Sequence, residues 1–115
     1  MVNSPNGSVA ALIALINRRM TAINSGDREG VLAVYDPYSV FVLDYRKGTA
    51  LMGKDEIGAR VGELSGQATE IICDYSLIDA GTYVRMDWVV RSRKDQAELF
   101  GGVDLFWGDG EKIVR

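Results

Sequence analysis

The sequence predicts an α+β domain in which helices come first and a long antiparallel sheet follows. Apolar residues recur at helical spacing in the first third of the chain, and the second half alternates apolar and polar residues in long runs between turn residues. The 115 residues are enough for one core without metals or disulfides. We therefore expect one domain over residues 1–115, with a curved antiparallel sheet wrapped on three N-terminal helices to form a cone with a central pocket.

Three helices are expected before the long strands. The first runs between Ser8, a possible N-cap, and Gly26, which is placed to end it. Asp27 caps a second, shorter helix that cannot continue past Pro37, and a third runs from 53 to 64. The apolar positions of the first helix are Val9, Leu12, Ile13, Ile16, Met20 and Ile23.

The strands begin with a small hairpin, 39–44 and 49–52, and continue as a meander. Three long strands are predicted over 68–79, 82–92 and 96–107, and a fourth begins at 111. The pair Gly101-Gly102 is suited to a bulge that would curve the sheet.

The strand over 82–92 separates its residues into two faces, because side chains alternate along a strand. We interpret the face with Arg85 and Asp87 as the lining of the pocket, where the two would act as an acid–base pair; an exposed salt bridge is the alternative. The other face is then the outside of the sheet. It predicts a homodimer through Val84, Met86, Trp88 and Val90.

Composition limits the partners and the chemistry. The net charge of −3 gives no reason to expect nucleic acid, and no run of about 18 apolar residues predicts a membrane span. There is no histidine, the single Cys73 cannot build a zinc site, and no glycine loop cradles a phosphate. We therefore predict chemistry without metal or organic cofactor, carried by carboxylates. The start has no secretory signal pattern, which indicates a reducing cytoplasm.

Three segments together resemble a known superfamily: AINSGDREGVLAVYDPYSVFVLD, GKDEI and GDGEKIV. Together with the predicted order of helices and strands, these segments resemble the nuclear transport factor 2-like (NTF2-like) superfamily, especially its SnoaL-like and ketosteroid isomerase-like branch. The resemblance implies a cystatin-like α+β barrel. It leaves the activity open, because this scaffold hosts isomerases, cyclases, epoxide hydrolases, dehydratases and binding modules.

The resemblance to ketosteroid isomerases assigns roles to three positions. Asp44 falls where those enzymes place the catalytic base, and Asp104 falls near the carboxylic acid of their oxyanion hole. For Asp104, an inward-facing counter-ion for an arginine is the equally simple alternative. Arg19 falls at their oxyanion tyrosine, where an arginine could stabilise an enolate by charge. From composition alone, however, Arg18 and Arg19 are expected on a solvated face.

A second resemblance concerns limonene epoxide hydrolases, whose Arg-x-Asp pair on a central strand is similar to Arg85-Met86-Asp87. It implies that Asp87 deprotonates a water and that Arg85 bridges two carboxylates. The second carboxylate of those enzymes falls past Arg115, so the domain is expected to lack most of its last strand.

Two functions remain open. The first is an enzyme of the SnoaL, ketosteroid isomerase or epoxide hydrolase type acting on a small apolar molecule; the second is a non-catalytic ligand-binding or dimerisation module. In either case we expect the pocket to be lined by Tyr35, Phe41, Tyr83, Val89, Phe100 and Phe106.

Overall fold

The computed structural model describes residues 5–36, 40–44, 49–53, 56–57, 60 and 65–114. It confirms the α+β class, with helices first and an antiparallel sheet last. Helices α1 (Pro5–Ser25) and α2 (Arg28–Ala33) come first. The strands follow as β1 (Val40–Asp44), β2 (Thr49–Met52), β3 (Ile71–Asp79), β4 (Val84–Ser92) and β5 (Glu98–Phe106).

The helices begin and end where their capping residues predict, except that α1 begins earlier than expected. Helix α1 begins at Pro5, three residues before the expected Ser8, because proline is tolerated in a first helical turn. Gly26 ends it at a φ of 75°. Asp27 caps α2 as predicted, since its carboxylate accepts from the Gly30 N–H at 2.9 Å. Most of the predicted third helix lies outside the described residues.

The sheets are antiparallel. Strands β1 and β2 form the predicted hairpin, and β3, β4 and β5 form a three-stranded sheet in that order. Strand β3 begins at Ile71, later than predicted, because Gln67 accepts from the Glu70 N–H at 2.9 Å and so bends the preceding residues into a turn.

Two further strand predictions were wrong. The register shift lies between Val90 and Arg91, where β5 has Leu99 as an extra residue, and not at Gly101-Gly102. In place of a fourth long strand, Ile113 makes isolated bridges to Tyr35 and to Gly108. The bridge to Tyr35 is supported by bonds of 2.8 Å from the Ile113 N–H to the Val34 carbonyl and 2.9 Å from the Asp36 N–H to the Ile113 carbonyl.

Helix α1 lies against β3 and β4 and decides which face of the sheet is inside. Val84, Met86 and Val90 are buried with the apolar side of α1, and Trp88 packs against the same core. The predicted homodimer face is therefore wrong: the chain covers these residues with its own helix. Burying the apolar face of β4 removes far more apolar surface from water than burying its charged face would.

Because residues paired across an antiparallel sheet share a face, the register assigns the neighbouring strands as well. We call the face covered by α1 the inner face and the opposite one the outer face. On β5 the inner positions are Phe106, Asp104, Gly102 and Phe100, which pair with Val84, Met86, Trp88 and Val90.

No helix in the part of the chain that the structure describes is long and apolar enough to cross a membrane.

Candidate functional site

Arg85 and Asp87 form the predicted ion pair, but they do so on the outer face of the sheet and not in a pocket. The Arg85 Nε donates to Asp87 Oδ1 at 2.7 Å, yet the two side chains are 47% and 39% exposed on the outer face. The prediction that they lie in a pocket was wrong, because the apolar side of β4 faces the helix. A pair so open to solvent contributes little to stability.

Val89 lies on the same outer face, opposite Asp74 on β3 and Gly101 on β5, so it does not line the interior. Tyr83 packs against Trp107 with 5.3 Å between the ring centroids. The side chains of Asp44 and Phe41 lie outside the described residues; only their backbone, in β1, is placed. Their predicted roles stay predictions.

Asp104 is on the inner face. It is half-buried in β5 and pairs with Met86 on β4. Its neighbour along the same face is Phe106, which is 2% exposed. Of the three candidate catalytic residues whose side chains the structure describes, Asp104 is thus the one that lies on the face covered by α1.

Arg19 lies on the same inner face as Asp104. The prediction from composition that Arg19 is solvated is therefore wrong. Its side chain comes from α1 and is only 4% exposed. The guanidinium donates from Nε to the Tyr35 hydroxyl at 2.7 Å and from Nη1 to Met20 Sδ at 3.0 Å. Its Cζ lies 5.2 Å from the centre of the Phe106 ring and 6.0 Å from that of Tyr35.

Two aromatic residues predicted to line a pocket therefore hold this guanidinium. Tyr35 and Phe106 are both buried, and they contact Arg19 through a hydroxyl and through ring faces. Among the described residues no carboxylate forms an ion pair with Arg19; the ion pairs there are those of Arg85 and Arg91.

The charges of Arg19 and Asp104 both affect the pKa of the Cys73 thiol on β3. Burial raises the pKa of the Cys73 thiol from 9.0 to about 11; the positive charge of Arg19 lowers it, and the carboxylates of Asp104 and Asp74 raise it. Cys73 is therefore a protonated core residue at neutral pH and no nucleophile.

A narrow cleft opens next to Cys73, between α1 and the start of β3. It is lined by Ile23, Asn24, Ile71, Cys73 and Val90, and its volume is about 10 Å³. That is room for a single water molecule and not for an organic ligand.

Sequence reasoning placed Arg19 correctly only through the resemblance, although a signal in the residues could have found it. Arg19 follows Leu12 by seven positions and Ile16 by three, and it precedes Ile23 by four. These spacings put it on the apolar stripe of α1. A charged residue in such a stripe has to be buried.

The fold has close counterparts among solved structures. An uncharacterized cystatin fold protein from Novosphingobium aromaticivorans superimposes with a TM-score of 0.70 at 16% identity, over 99% of this chain and 96% of that one. An NTF-2 like protein of unknown function from Burkholderia xenovorans matches with a TM-score of 0.69 at 13% identity, over 91% and 78%. The chain has the cystatin-like, NTF2-like fold.

A third counterpart is a proposed polyketide cyclase from Sinorhizobium meliloti, with a TM-score of 0.67, 13% identity and coverage of 89% and 90%. At these identities the likeness concerns the fold alone. Neither a family model nor a curated protein matches the sequence.

Proposed function

We propose that this domain binds a small, largely apolar molecule at the inner face of the sheet and moves a proton on it. Arg19 holds an anionic or carbonyl oxygen of the ligand, and Asp104 is the acid–base group. The reaction class is a cofactor-independent isomerisation or cyclisation. The observation that carries the proposal is the buried guanidinium of Arg19, which has no carboxylate partner among the described residues.

A buried charge without a counter-charge costs several kcal/mol, and proteins rarely keep one without a use for it. Among the described residues, the contacts of Arg19 are a hydroxyl, a thioether and two ring faces, which orient the guanidinium and carry no negative charge. A ligand oxygen that gains negative charge during a reaction would supply the missing partner. In a site of low dielectric constant, such a fixed positive group stabilises a developing enolate strongly.

Asp104 has the position that this chemistry requires. It lies two residues before Phe106 on the same strand face, so its carboxylate is next to the ring over which Arg19 is placed. A carboxylate there can remove a proton next to a carbonyl whose oxygen faces Arg19. Asp44 stays the second candidate for the base. The name of the Sinorhizobium meliloti counterpart agrees with a cyclase on this scaffold, although fold likeness alone does not assign an activity.

The test compares variants at Arg19 and Asp104 in binding and in turnover. Thermal shift and calorimetry with a panel of enones, lactones and aryl carboxylates measure binding, and product analysis without added metal or cofactor measures turnover. We expect Arg19→Met to weaken binding by about tenfold or more while leaving the melting temperature unchanged or higher, because it removes an uncompensated buried charge. Arg18→Met is the matched control, since Arg18 is exposed one residue away.

Asp104→Asn separates catalysis from binding. The amide keeps the shape of the side chain and loses its proton affinity, so turnover should fall by about a hundredfold or more while binding changes little. Turnover that survives in Asp104→Asn would move the base to Asp44. Equal binding by wild type and Arg19→Met would refute the proposal as a whole.

One observation favours the non-catalytic alternative. The Arg85–Asp87 pair, which the resemblance to epoxide hydrolases assigns to catalysis, is exposed on the outer face. If the panel binds through Arg19 and no member is converted, the domain is a ligand-binding module.

A further inference from the structure

The indole N–H of Trp88 is a buried donor without an acceptor. Within the part of the chain that the structure describes, Trp88 Nε1 is the buried side-chain nitrogen or oxygen that has no hydrogen-bond partner. Buried tryptophans normally place this N–H against an acceptor, because an unpaired donor in the interior costs free energy. Such an exception calls for an explanation in terms of what binds there.

The position of the ring follows from the residue opposite to it. Trp88 pairs with Gly102 on β5, and a Cβ atom at Gly102 would lie 2.9 Å from Trp88 Cζ2 and 3.5 Å from Nε1. The indole therefore lies across the backbone of β5, in space that only glycine leaves free. This brings the N–H to the inner face of β5, two residues from Asp104.

Three polar groups thus follow one another along a single strand face. Arg19 stands over Phe106, Asp104 comes next, and the Trp88 N–H lies at Gly102. Four residues of strand from Phe106 to Gly102 span roughly 13 Å. That is the length of an elongated molecule of two rings with a polar group at each end.

Phe100 packs against the indole of Trp88. Its ring meets the indole edge to face, with 5.9 Å between centroids and an interplanar angle of 89°. Phe100 is nevertheless 51% exposed, although it shares the inner face with the buried Val90. A half-exposed ring can rotate into solvent at little cost in packing, and its rotation would open the donor to a ligand.

We propose that the Trp88 indole N–H is the second polar contact of the ligand site and that it selects molecules with a neutral acceptor oxygen at the end remote from Arg19. The inference rests on the proposed function, since it takes the ligand to be anchored at Arg19. The ligand class is then an apolar ring system with an anionic or carbonyl oxygen at one end and a ketone or ether oxygen at the other.

The test uses pairs of aryl carboxylates that differ by one acceptor: naphthoate and biphenyl-4-carboxylate, each with and without an acetyl group at the far end. Affinities are measured by calorimetry with wild type, Trp88→Phe and Arg19→Met. Trp88→Phe keeps an aromatic ring and removes the donor. We expect the acetylated biphenyl to bind wild type about three- to tenfold more tightly than its parent, and this advantage to disappear in Trp88→Phe while the parent binds as before.

The indole resonance gives a readout that affinity alone does not. In ¹⁵N-labelled Trp107→Phe protein Trp88 is the single indole, because the chain has two tryptophans. Its N–H proton should move downfield when the acetylated probe binds and stay in place with the parent.

The outcomes separate the two proposals. If none of the enones, lactones and aryl carboxylates binds, or if all bind equally to Arg19→Met, the proposed function fails and this inference fails with it. If the carboxylates bind through Arg19 but the acetyl group adds no affinity, or adds the same affinity in Trp88→Phe, the role of Trp88 is refuted and the proposed function stands.

Discussion

The thiol of Cys73 lies in the core, where charges of opposite sign from Arg19 and Asp104 act on it. Desolvation is the largest effect, and it raises the pKa of the thiol from 9.0 to about 11. An unfolded chain loses this proton near pH 9, whereas the folded chain keeps it. Folding is therefore favoured by the neutral thiol below pH 9, and this contribution is lost as the pH rises from 9 toward 11.

We expect wild type to lose more stability than Cys73→Ala between pH 9 and 10.5. Urea unfolding at several pH values measures the difference. Tyr75, whose pKa is also raised by burial, titrates in both proteins and so largely cancels in the comparison. Parallel loss of stability in the two proteins would show that the thiol ionises equally easily in the folded and unfolded chain.

Arg19 shows what sequence alone can say about a single residue. Its place on the apolar stripe of α1 follows from spacing, so its burial was predictable from the residues. Its contacts were not, because Tyr35 and Phe106 come from segments 16 and more residues away whose approach depends on the complete fold. Helical periodicity fixes a direction, and long-range packing decides what lies there.

Helix α1 is fastened to the edge of the sheet by one side chain. Asn24 Nδ2 donates to the Cys73 carbonyl at 3.0 Å, and its Oδ1 accepts from the Cys73 N–H at 2.9 Å. The amide thus pairs with the outer edge of β3 as a neighbouring strand would. It fixes α1 lengthwise against the strand that contains Cys73.

We expect Asn24→Ala to lower the free energy of unfolding by about 1–3 kcal/mol, since two hydrogen bonds are lost and the Cys73 backbone loses its partner. Chemical denaturation measures this change in the free energy of unfolding. Asn17→Ala is the control, because Asn17 bonds to the Tyr75 hydroxyl at an exposed site and should cost less. If Asn17→Ala lowered the free energy of unfolding as much as Asn24→Ala, the two Asn24 hydrogen bonds would contribute no more to stability than the exposed one.

Strand β4 shows the limit of pattern reasoning for an element. Alternation correctly predicts that Val84 and Met86 share one face and that Arg85 and Asp87 share the other. It does not say which face a helix covers. Desolvating an ion pair is costly and burying apolar side chains is favourable, so the apolar face is the one that α1 covers. The predicted pocket location of Arg85 and Asp87 is wrong for this reason.

The outer face of the sheet carries exposed apolar side chains around an ion pair. Ile78, Val103 and Leu105 are 48%, 54% and 39% exposed there, around the Arg85–Asp87 pair. We propose that two copies pack these faces together about a two-fold axis, which lets Arg85 of each copy meet Asp87 of the other. Such a surface is complementary to itself in both charge and shape.

Sedimentation equilibrium at micromolar concentration tests the dimer. We expect Val103→Lys to weaken association by about tenfold or more, because it places a charge in an apolar contact. Thr21→Lys adds the same charge on an exposed position of α1 and should leave association unchanged. A monomeric wild type would refute the proposal.

For the whole molecule, the fold class was predictable because it depends on the order of helical and strand patterns, which the sequence displays directly. The site depends on which side chains meet. Asp104 and Arg19 reach one face only after the register of β5 against β4 and the packing of α1 are both set. Neither is visible in local periodicity.

The bridge between Tyr35 and Ile113 has a consequence for the order of events as the chain is made. Tyr35 is positioned by backbone bonds to a segment that is synthesised much later, and the Lys112 ammonium group also reaches the Ala33 carbonyl, 79 positions away, at 2.7 Å. Pairings so distant in sequence form late in folding. Arg19 therefore acquires its fixed hydroxyl partner only after the residues of the three-stranded sheet, 71–106, have been synthesised.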